Sequence, residues 1–535
     1  REEFMPLSFS QKRMWFFDKL HERNAAYNLP FALKMQGALD VDALAKAFES
    51  MVTRHEIFRT VYVEQDGHAL QVIKAPEAWT FDVKDMTYLQ EPALSRSVED
   101  AVRMEARTPF DLEHGPVIRA NLIQLPNEES ESVKGRSAEQ YLLTITIHHI
   151  AADGWSLSVI TEEIAKAYEA EVREETPKLR DMPIQYVDFA MWQKQLFDGN
   201  LIDEQLEYWK QHLIGVPVLD LPTDRPRPPE QSFEGSNYYF SIPKSKVVAL
   251  KQLSRSQGVT FYMTLLATFK VLLHQYTQSD DICVGTPIAN RSTEELEKLI
   301  GFFVNTLALR SDFSGNPSFT DFLARIRKTT QGAFANQDMP FERVVESLNI
   351  PRDMSYSPVF QVMFVLQNST IDEAFNLAGV NVGSVNTSPG TSKFDMTLQF
   401  SEESGVLHGD LEYATDLFDE STVKAFAERY MTLVDAVLAD ASVSVGELNI
   451  ISFDERSLLL NDYNNLDVDL PLDSTLHGLF EQQVARTPND VALIFDNDRL
   501  TYRQINERAN ALARHLQTLG VKQESLVGLC LHRCT

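Results

Sequence analysis

His148-His149-Ile150-Ala151-Ala152-Asp153-Gly154-Trp155 is the stretch on which the reading turns. Ahead of it, Tyr141 to Ile147 is rich in β-branched residues and sets Leu143, Ile145 and Ile147 on one face, which predicts a strand. Behind it, Leu157 to Glu169 reads as a helix. Two histidines at a strand exit admit three readings. A metal site fits poorly, because adjacent strand residues point to opposite faces and no cysteine or third histidine stands at ligand spacing. Core packing would bury two semi-polar rings where Val or Ile serves better, and each would need a hydrogen-bond partner. A catalytic element fits best: one imidazole, with an ordinary pKa near 6.5, faces a cleft and handles a proton while the other packs behind it.

Asp153 either orients that imidazole or binds a cation and holds the loop. The sequence offers no Gly-x-Ser-x-Gly elbow and no nucleophile paired with a histidine. Direct group transfer without a covalent enzyme intermediate is the better reading, with Asp153 structural.

Working outward, Asp40 and Asp42 stand as candidate caps before Leu44, Phe48, Met51 and Val52, which predicts a helix within 38–60. The proline-rich stretch Pro217 to Pro229 is incompatible with a central strand or helix and reads as an extended connection. After it come helices near 244–254 and 259–276, a strand at Asp281 to Ala289, and strands near 358–366, 393–400 and 405–413. Two lobes, each combining helices with a sheet, are the simplest account. From about 453 a turn-rich linker follows, with Asn461 to Asn465 and Pro471. Then come a short strand pair within Val491 to Tyr502 and a helix from about Gln504 to Leu519, closed by Gly520. The expected divisions are 1–180 and 181–452 for the lobes, 453–474 for the linker, and 475–535 for a terminal fragment.

The 535 residues carry a net charge of −28, from 77 acidic and 49 basic side chains, and such a field repels phosphate backbones. Nucleic acid is thereby disfavoured as a partner, and an acidic protein would need a local basic or apolar patch. The three cysteines, Cys283, Cys530 and Cys534, form neither a disulfide framework nor a paired zinc motif, which suits a reducing cytoplasm. No run of about 18 apolar residues appears, so no membrane span is expected. The start, Arg1-Glu2-Glu3, lacks a signal-peptide pattern and a Met, as in a piece of a longer chain.

The motif His148-His149-x-x-x-Asp153-Gly154 resembles the signature of the condensation-domain and coenzyme A-dependent acyltransferase superfamily. Further stretches are similar to condensation-domain core motifs in the family order: Ser8 to Trp15, Arg54 to Thr60, Tyr186 to Trp192, Ile300 to Arg310, Asn336 to Glu342 and Arg352 to Pro358. Ser10 and Phe58 stand where Ala and Leu are usual. Pro109 to Leu112 with Gly115-Pro116 adds another family-like segment, so the resemblance spans about residues 5–450. Asp153-Gly154-Trp155-Ser156 and Phe302 to Thr306 look like the subtype that joins an L-configured donor to an L-configured acceptor, although Ala151-Ala152 departs from the commoner Ile-Ser. Leu500 to Ile505 is similar to the first core motif of adenylation domains. No phosphate-cradling loop follows it, so amino-acid activation is not expected of this chain.

The resemblance implies an α/β (α+β) fold of two chloramphenicol-acetyltransferase-like lobes in a V-shaped pseudo-dimer. It implies upstream donor and downstream acceptor carrier domains that deliver substrates on 4'-phosphopantetheine, the rest of an adenylation domain as a further partner, and no cofactor or metal held by this chain. His149 is the candidate for taking or positioning the amine proton, with His148 behind it, and Gly154 keeps the loop low enough for substrate to pass. Asp153 holds the loop through Arg291, the inter-lobe arginine. Arg59, with Trp15 and Tyr186, reads as a structural anchor, Arg59 being also a candidate for holding the lobes together, while Trp155 and Asn305 are candidates for lining the tunnel. The rival readings are an epimerisation domain of the same fold and a silent platform that recruits partners.

Overall fold

Alternating apolar residues build two mixed sheets, and the side chains that share a face are what the helices cover. The computed structural model describes every residue except 1–3, 21–23, 78, 80, 130–136, 198–201, 352, 368–374, 376, 386, 388, 467–468, 470–471 and 533–535. Arg1 to Glu3, Arg352, Pro471 and Cys534 therefore lie outside the described residues. The chain divides into two units, Arg1–Ser452 and Phe453–Thr535.

In the first unit, one sheet runs in the order Val380–Val385, Asn28–Gly37, Ser137–His148, Ile118–Glu129, Val83–Asp85. The strand ahead of the histidines sits at its centre, antiparallel to both neighbours, with Leu143, Ile145 and Ile147 fully buried. The helices Val41–Arg54 and Gly154–Val172 pack together to cover this lobe's core. Asp40 caps the first of them by accepting the Ala43 N–H at 2.9 Å. That helix is shorter than the sequence suggested. It stops at Arg54, where His55 turns extended, binds Glu163 at 2.7 Å and leads into a short 3-10 turn, Glu56–Arg59.

The second lobe holds a six-stranded sheet in the order Asn305–Asp312, Asp281–Ile288, Val362–Gln367, Met396–Glu403, Val406–Ala414, Gly235–Ile242. The helices Lys244–Ser256, Phe261–Thr277, Phe319–Ala335 and Glu420–Ala439 supply apolar faces to its core. Residues 217–229 carry no helix or strand, and Arg227 anchors the stretch on Asp395 at 2.8 Å.

The lobes are not built from separate halves of the chain. The strand Val380–Val385 leaves the second half and joins the first lobe's sheet, antiparallel to Asn28–Gly37. Its Asn, Gly and Ser residues hide its strand character in the sequence. The junction demands a glycine: Gly37 has φ +140, and a Cβ there would come 2.4 Å from the Gly379 oxygen. Leu296, Leu299, Ile300, Phe302 and Phe303 likewise belong to the first lobe's core.

In the second unit, the hairpin of Val491–Phe495 and Asp498–Thr501 leads into the helix Tyr502–Thr518, opened by a Thr501/Gln504 capping box. A helix the sequence reading lacked, Leu476–Arg486, precedes them with Thr475 as its cap. The supposed linker contains a short helix, Phe453–Ser457, and a wider turn over Leu458–Asp462. Among the described residues no helix is long and apolar enough to cross a membrane.

Candidate active site

The two adjacent histidines leave the central strand in opposite directions, as the two-residue period of a strand requires. His148 turns inward and is 3% exposed, with Nδ1 accepting the Ile150 N–H at 3.1 Å and Phe110 edge-on to its ring. Burial, with the Lys393 and Arg119 charges, pulls its pKa down to about 3. It is a neutral core residue.

His149 has a different environment. Its backbone N–H donates to the Tyr27 carbonyl at 2.8 Å, and its ring lies 4.7 Å from the Phe302 ring and 6.4 Å from the Tyr27 ring, centroid to centroid. Nδ1 stands 2.8 Å from the Ala152 carbonyl oxygen. A carbonyl only accepts, so Nδ1 carries the hydrogen and the Nε2 lone pair is left for another partner. The residue is half-buried, keeping contact with solvent although protein surrounds it. Burial first, and the Lys393 cation second, hold the imidazole well below its ordinary pKa, against the opposing pull of the Ala152 carbonyl.

Asp153, four residues on, faces away from this ring and is fully buried. Oδ1 accepts the Ser156 N–H at 2.8 Å, capping the helix Gly154–Val172, and Arg291 Nη2 at 3.0 Å. Oδ2 accepts the Phe303 N–H at 3.1 Å. Arg291, 1% exposed, donates to the Leu296 and Leu299 carbonyls and lies 4.1 Å over the Phe303 ring. Ser156 Oγ accepts the Gly301 N–H at 3.1 Å. The carboxylate thus fastens segment 291–303 to the histidine loop.

That segment must come close. A Cβ on Gly301 would lie 1.9 Å from the Tyr186 ring, whose hydroxyl donates to the Phe302 carbonyl at 2.6 Å. Tyr186 therefore helps seat the ring that faces His149. Gly154 has no such demand: a Cβ there meets nothing within 4 Å, which leaves the space beside the loop open.

Three site candidates from the sequence lie elsewhere. Trp155 is 46% exposed, donates Nε1–H to the Glu297 carbonyl at 2.9 Å, and edges an outer groove of about 430 Å³ with Arg54, Glu163 and Lys298. His149 does not line that groove. Asn305 is 5% exposed with its amide committed to backbone: Nδ2 donates to the Gln337 and Met339 carbonyls, and Oδ1 accepts from Phe341 at 3.0 Å. It braces a turn. Arg59 donates to the Lys74 carbonyl at 2.6 Å and faces Glu56, both in the first lobe, so it makes no inter-lobe bridge among these contacts. Arg13 provides one instead, pairing with Glu342 at 2.9 Å. Among the described residues no group of three His, Cys, Asp or Glu side chains is placed to hold a metal ion.

Sequence reasoning missed Tyr27 and Lys393. Lys393 comes from the second lobe and holds its ammonium 4.9 Å from the centre of the Tyr27 ring. Its only local signal is a lone lysine just ahead of the alternating strand Met396–Glu403.

A family model described as Condensation domain matches residues 1–460, and one described as AMP-binding enzyme matches 480–535. Malpinin synthetase of Mortierella alpina is 40% identical over 534 residues, covering 100% of this chain and 7% of that protein. Gramicidin S synthase 2 of Brevibacillus brevis is 38% identical over 536 residues, covering 99% of this chain and 11% of that protein. The chain thus spans only 7% and 11% of the length of these two relatives. Among solved structures, the X-domain in complex with OxyB from teicoplanin biosynthesis is 27% identical at a TM-score of 0.76, over 84% of this chain and 97% of that one. A holo four-domain nonribosomal peptide synthetase bound to AMP and glycine shares the fold at 21% identity and a TM-score of 0.81, over 98% of this chain and 39% of that one.

Proposed function

The chain belongs to the condensation-domain family of nonribosomal peptide synthetases, and from that premise we propose that it forms peptide bonds between two carrier-bound substrates. The α-amine of an acceptor aminoacyl thioester attacks the carbonyl of a donor thioester. The C–N bond forms, the C–S bond breaks, the amine gives up a proton, and the donor carrier's thiol leaves protonated. The phosphopantetheine arms belong to the carriers. The substrate pair we favour is an L-configured donor and an L-configured acceptor.

One observation carries the reading: His149 is half-buried with Nδ1–H spent on Ala152, so its lone pair at Nε2 is free to accept from an amine, while Asp153 is wholly engaged elsewhere. Its lowered basicity favours one of the two roles open to it. An imidazole held well below its ordinary pKa takes a full proton reluctantly but still accepts a hydrogen bond. Positioning the amine is therefore the role we assign. A thioester is already activated, and alignment of amine and carbonyl is capable of lowering the barrier by roughly 7–11 kcal/mol. Asp153 and Arg291 hold the loop, His148 fills the core behind it, and the open side of Gly154 gives the substrate room.

The test is incubation with loaded donor and acceptor carriers, followed by intact-mass measurement. A dipeptidyl acceptor carrier is expected, with its rate falling about 10²-fold in His149→Ala, as loss of positioning costs, at unchanged thermal midpoint. Inversion of one loaded residue without coupling would support epimerisation. Folded protein that does neither would support a recruitment platform.

A further inference from the structure

Lys393 is held in place on both sides. The Ser392 N–H donates to the Phe233 carbonyl at 2.9 Å, the Asp395 N–H donates to the Gln361 carbonyl at 2.9 Å, and the Asp395 carboxylate pairs with Arg227. From this fixed segment of the second lobe the ammonium reaches over the ring of Tyr27 in the first. Tyr27 is also the residue whose carbonyl takes the His149 N–H. The two distances, 4.9 Å from Nζ to the Tyr27 ring and 6.4 Å from that ring to the imidazole, bound the ammonium to within about 11 Å of the His149 ring. A half-buried lysine charge held over an aromatic ring gives up part of its water, and such expense is concentrated at working sites.

The other groups around His149 are neutral or paired, and Lys393, partly offset by Glu412, is the cation whose charge bears most on the ring. His148 is neutral, Tyr27 and Phe302 are uncharged, Asp153 is paired with Arg291, and Arg13 is paired with Glu342. Glu412 takes the Lys393 backbone N–H, and its charge opposes the burial that lowers the lysine's own pKa. We propose that Lys393 is a positioning residue for amide formation: held over Tyr27, its ammonium adds to burial in disfavouring a positive charge on the His149 ring, so that Nε2 meets the incoming amine as an acceptor. The proposal rests on the role assigned to His149 above.

The experiment uses the full chain as wild type, Lys393→Met and Lys393→Arg. Single-turnover coupling between loaded carriers is followed from pH 4.5 to 8. The His149 ring is followed separately, without substrate, by NMR of protein labelled at histidine Cε1 and assigned with His149→Gln. A unit charge at about 11 Å with an effective dielectric near 20 corresponds to roughly one pH unit. Lys393→Met should therefore raise both the acidic limb of the rate profile and the ring's titration by about that much, with the loss of rate growing towards the acid end of the range. Lys393→Arg should keep both near wild type. Unmoved titration in Lys393→Met, or a Lys393→Arg that behaves like it, overturns the proposal. Should Lys393→Met lower the thermal midpoint, Lys393→Gln replaces it. If coupling survives His149→Ala, the assigned role of His149 falls, while the NMR titration still decides whether Lys393 controls that ring.

Discussion

Replacing Asp153 with alanine should cost stability before it costs chemistry. The change removes the cap from the helix Gly154–Val172, leaves the Phe303 N–H without its acceptor and strands the Arg291 guanidinium, 1% exposed, without its counter-charge. Losing a cap costs about 1 kcal/mol, and breaking a buried pair from one side costs about 3–5 kcal/mol. Arg291 keeps two carbonyl partners at Leu296 and Leu299, which favours the lower part of that range, about 4 kcal/mol in all. With an unfolding entropy of roughly 2 cal/mol/K per residue across Arg1–Ser452, that amounts to a fall in thermal midpoint of about 4 °C. Removing both charges as Asp153→Ala with Arg291→Met should recover much of the loss, because no buried charge is then left unpaired. Scanning calorimetry beside the carrier coupling assay reads both effects. An Asp153→Ala protein with an unchanged midpoint and abolished coupling would refute this account and place the carboxylate in the chemistry.

Two further outcomes follow from the same geometry. His148 binds a proton at about pH 3 in the fold and near 6.5 when unfolded, so below about 6.5 the unfolded chain takes up the proton that the fold refuses. Stability is therefore present above that pH and lost as pH falls, by about 1.4 kcal/mol at pH 5.5 relative to pH 8. Urea midpoints at the two pH values should show this drop in wild type and a smaller one in His148→Asn; equal drops would mean the ring is solvated. Gly301→Ala drives a methyl into the Tyr186 ring, an overpacking worth about 1–3 kcal/mol, and shifts the Phe302 backbone that Tyr186 holds. Coupling should slow about 10-fold or more, and a lowered midpoint with an unchanged rate would show that His149 does not depend on Phe302 for its seat.

Where local chemistry decides, the sequence was legible. Asp40 before an apolar helical stripe, the β-branched run ahead of His148 and the proline series at 217–229 each act through neighbours a few residues away, and each appears in the structure as read. The pairing of Asp153 with Arg291 came from the resemblance rather than from any local pattern, and it is present at 3.0 Å. What stayed hidden depends on distant segments meeting. Val380–Val385 reads weakly as a strand because its partner lies in the opposite half of the chain. Trp155 and Asn305 stand within family-like motifs, but a motif does not say which way a side chain points. One donates across the surface to Glu297, and the other spends its amide on a turn.

The histidine loop nonetheless explains why the site requires both lobes. Residues 149 and 153 stand four positions apart and face different partners. Asp153 is answered by Phe303, which comes from the second half of the sequence yet packs into the first lobe's core, and by Arg291, which lies over the Phe303 ring, so this side of the loop moves with the first lobe. On the proposed reading His149 is answered by Lys393, held over Tyr27 from a position three residues ahead of the second lobe's strand Met396–Glu403. The loop is thus braced by one lobe and electrically biased by the other. Drawing the lobes apart would leave Asp153 and its partners intact while moving the ammonium away from the imidazole, and the ring's readiness to take a proton would rise as the gap widened. If the proposed function holds, a substrate arm wedged between the lobes would alter the His149 ring, and the same titration, repeated with a loaded carrier bound, reads that change directly.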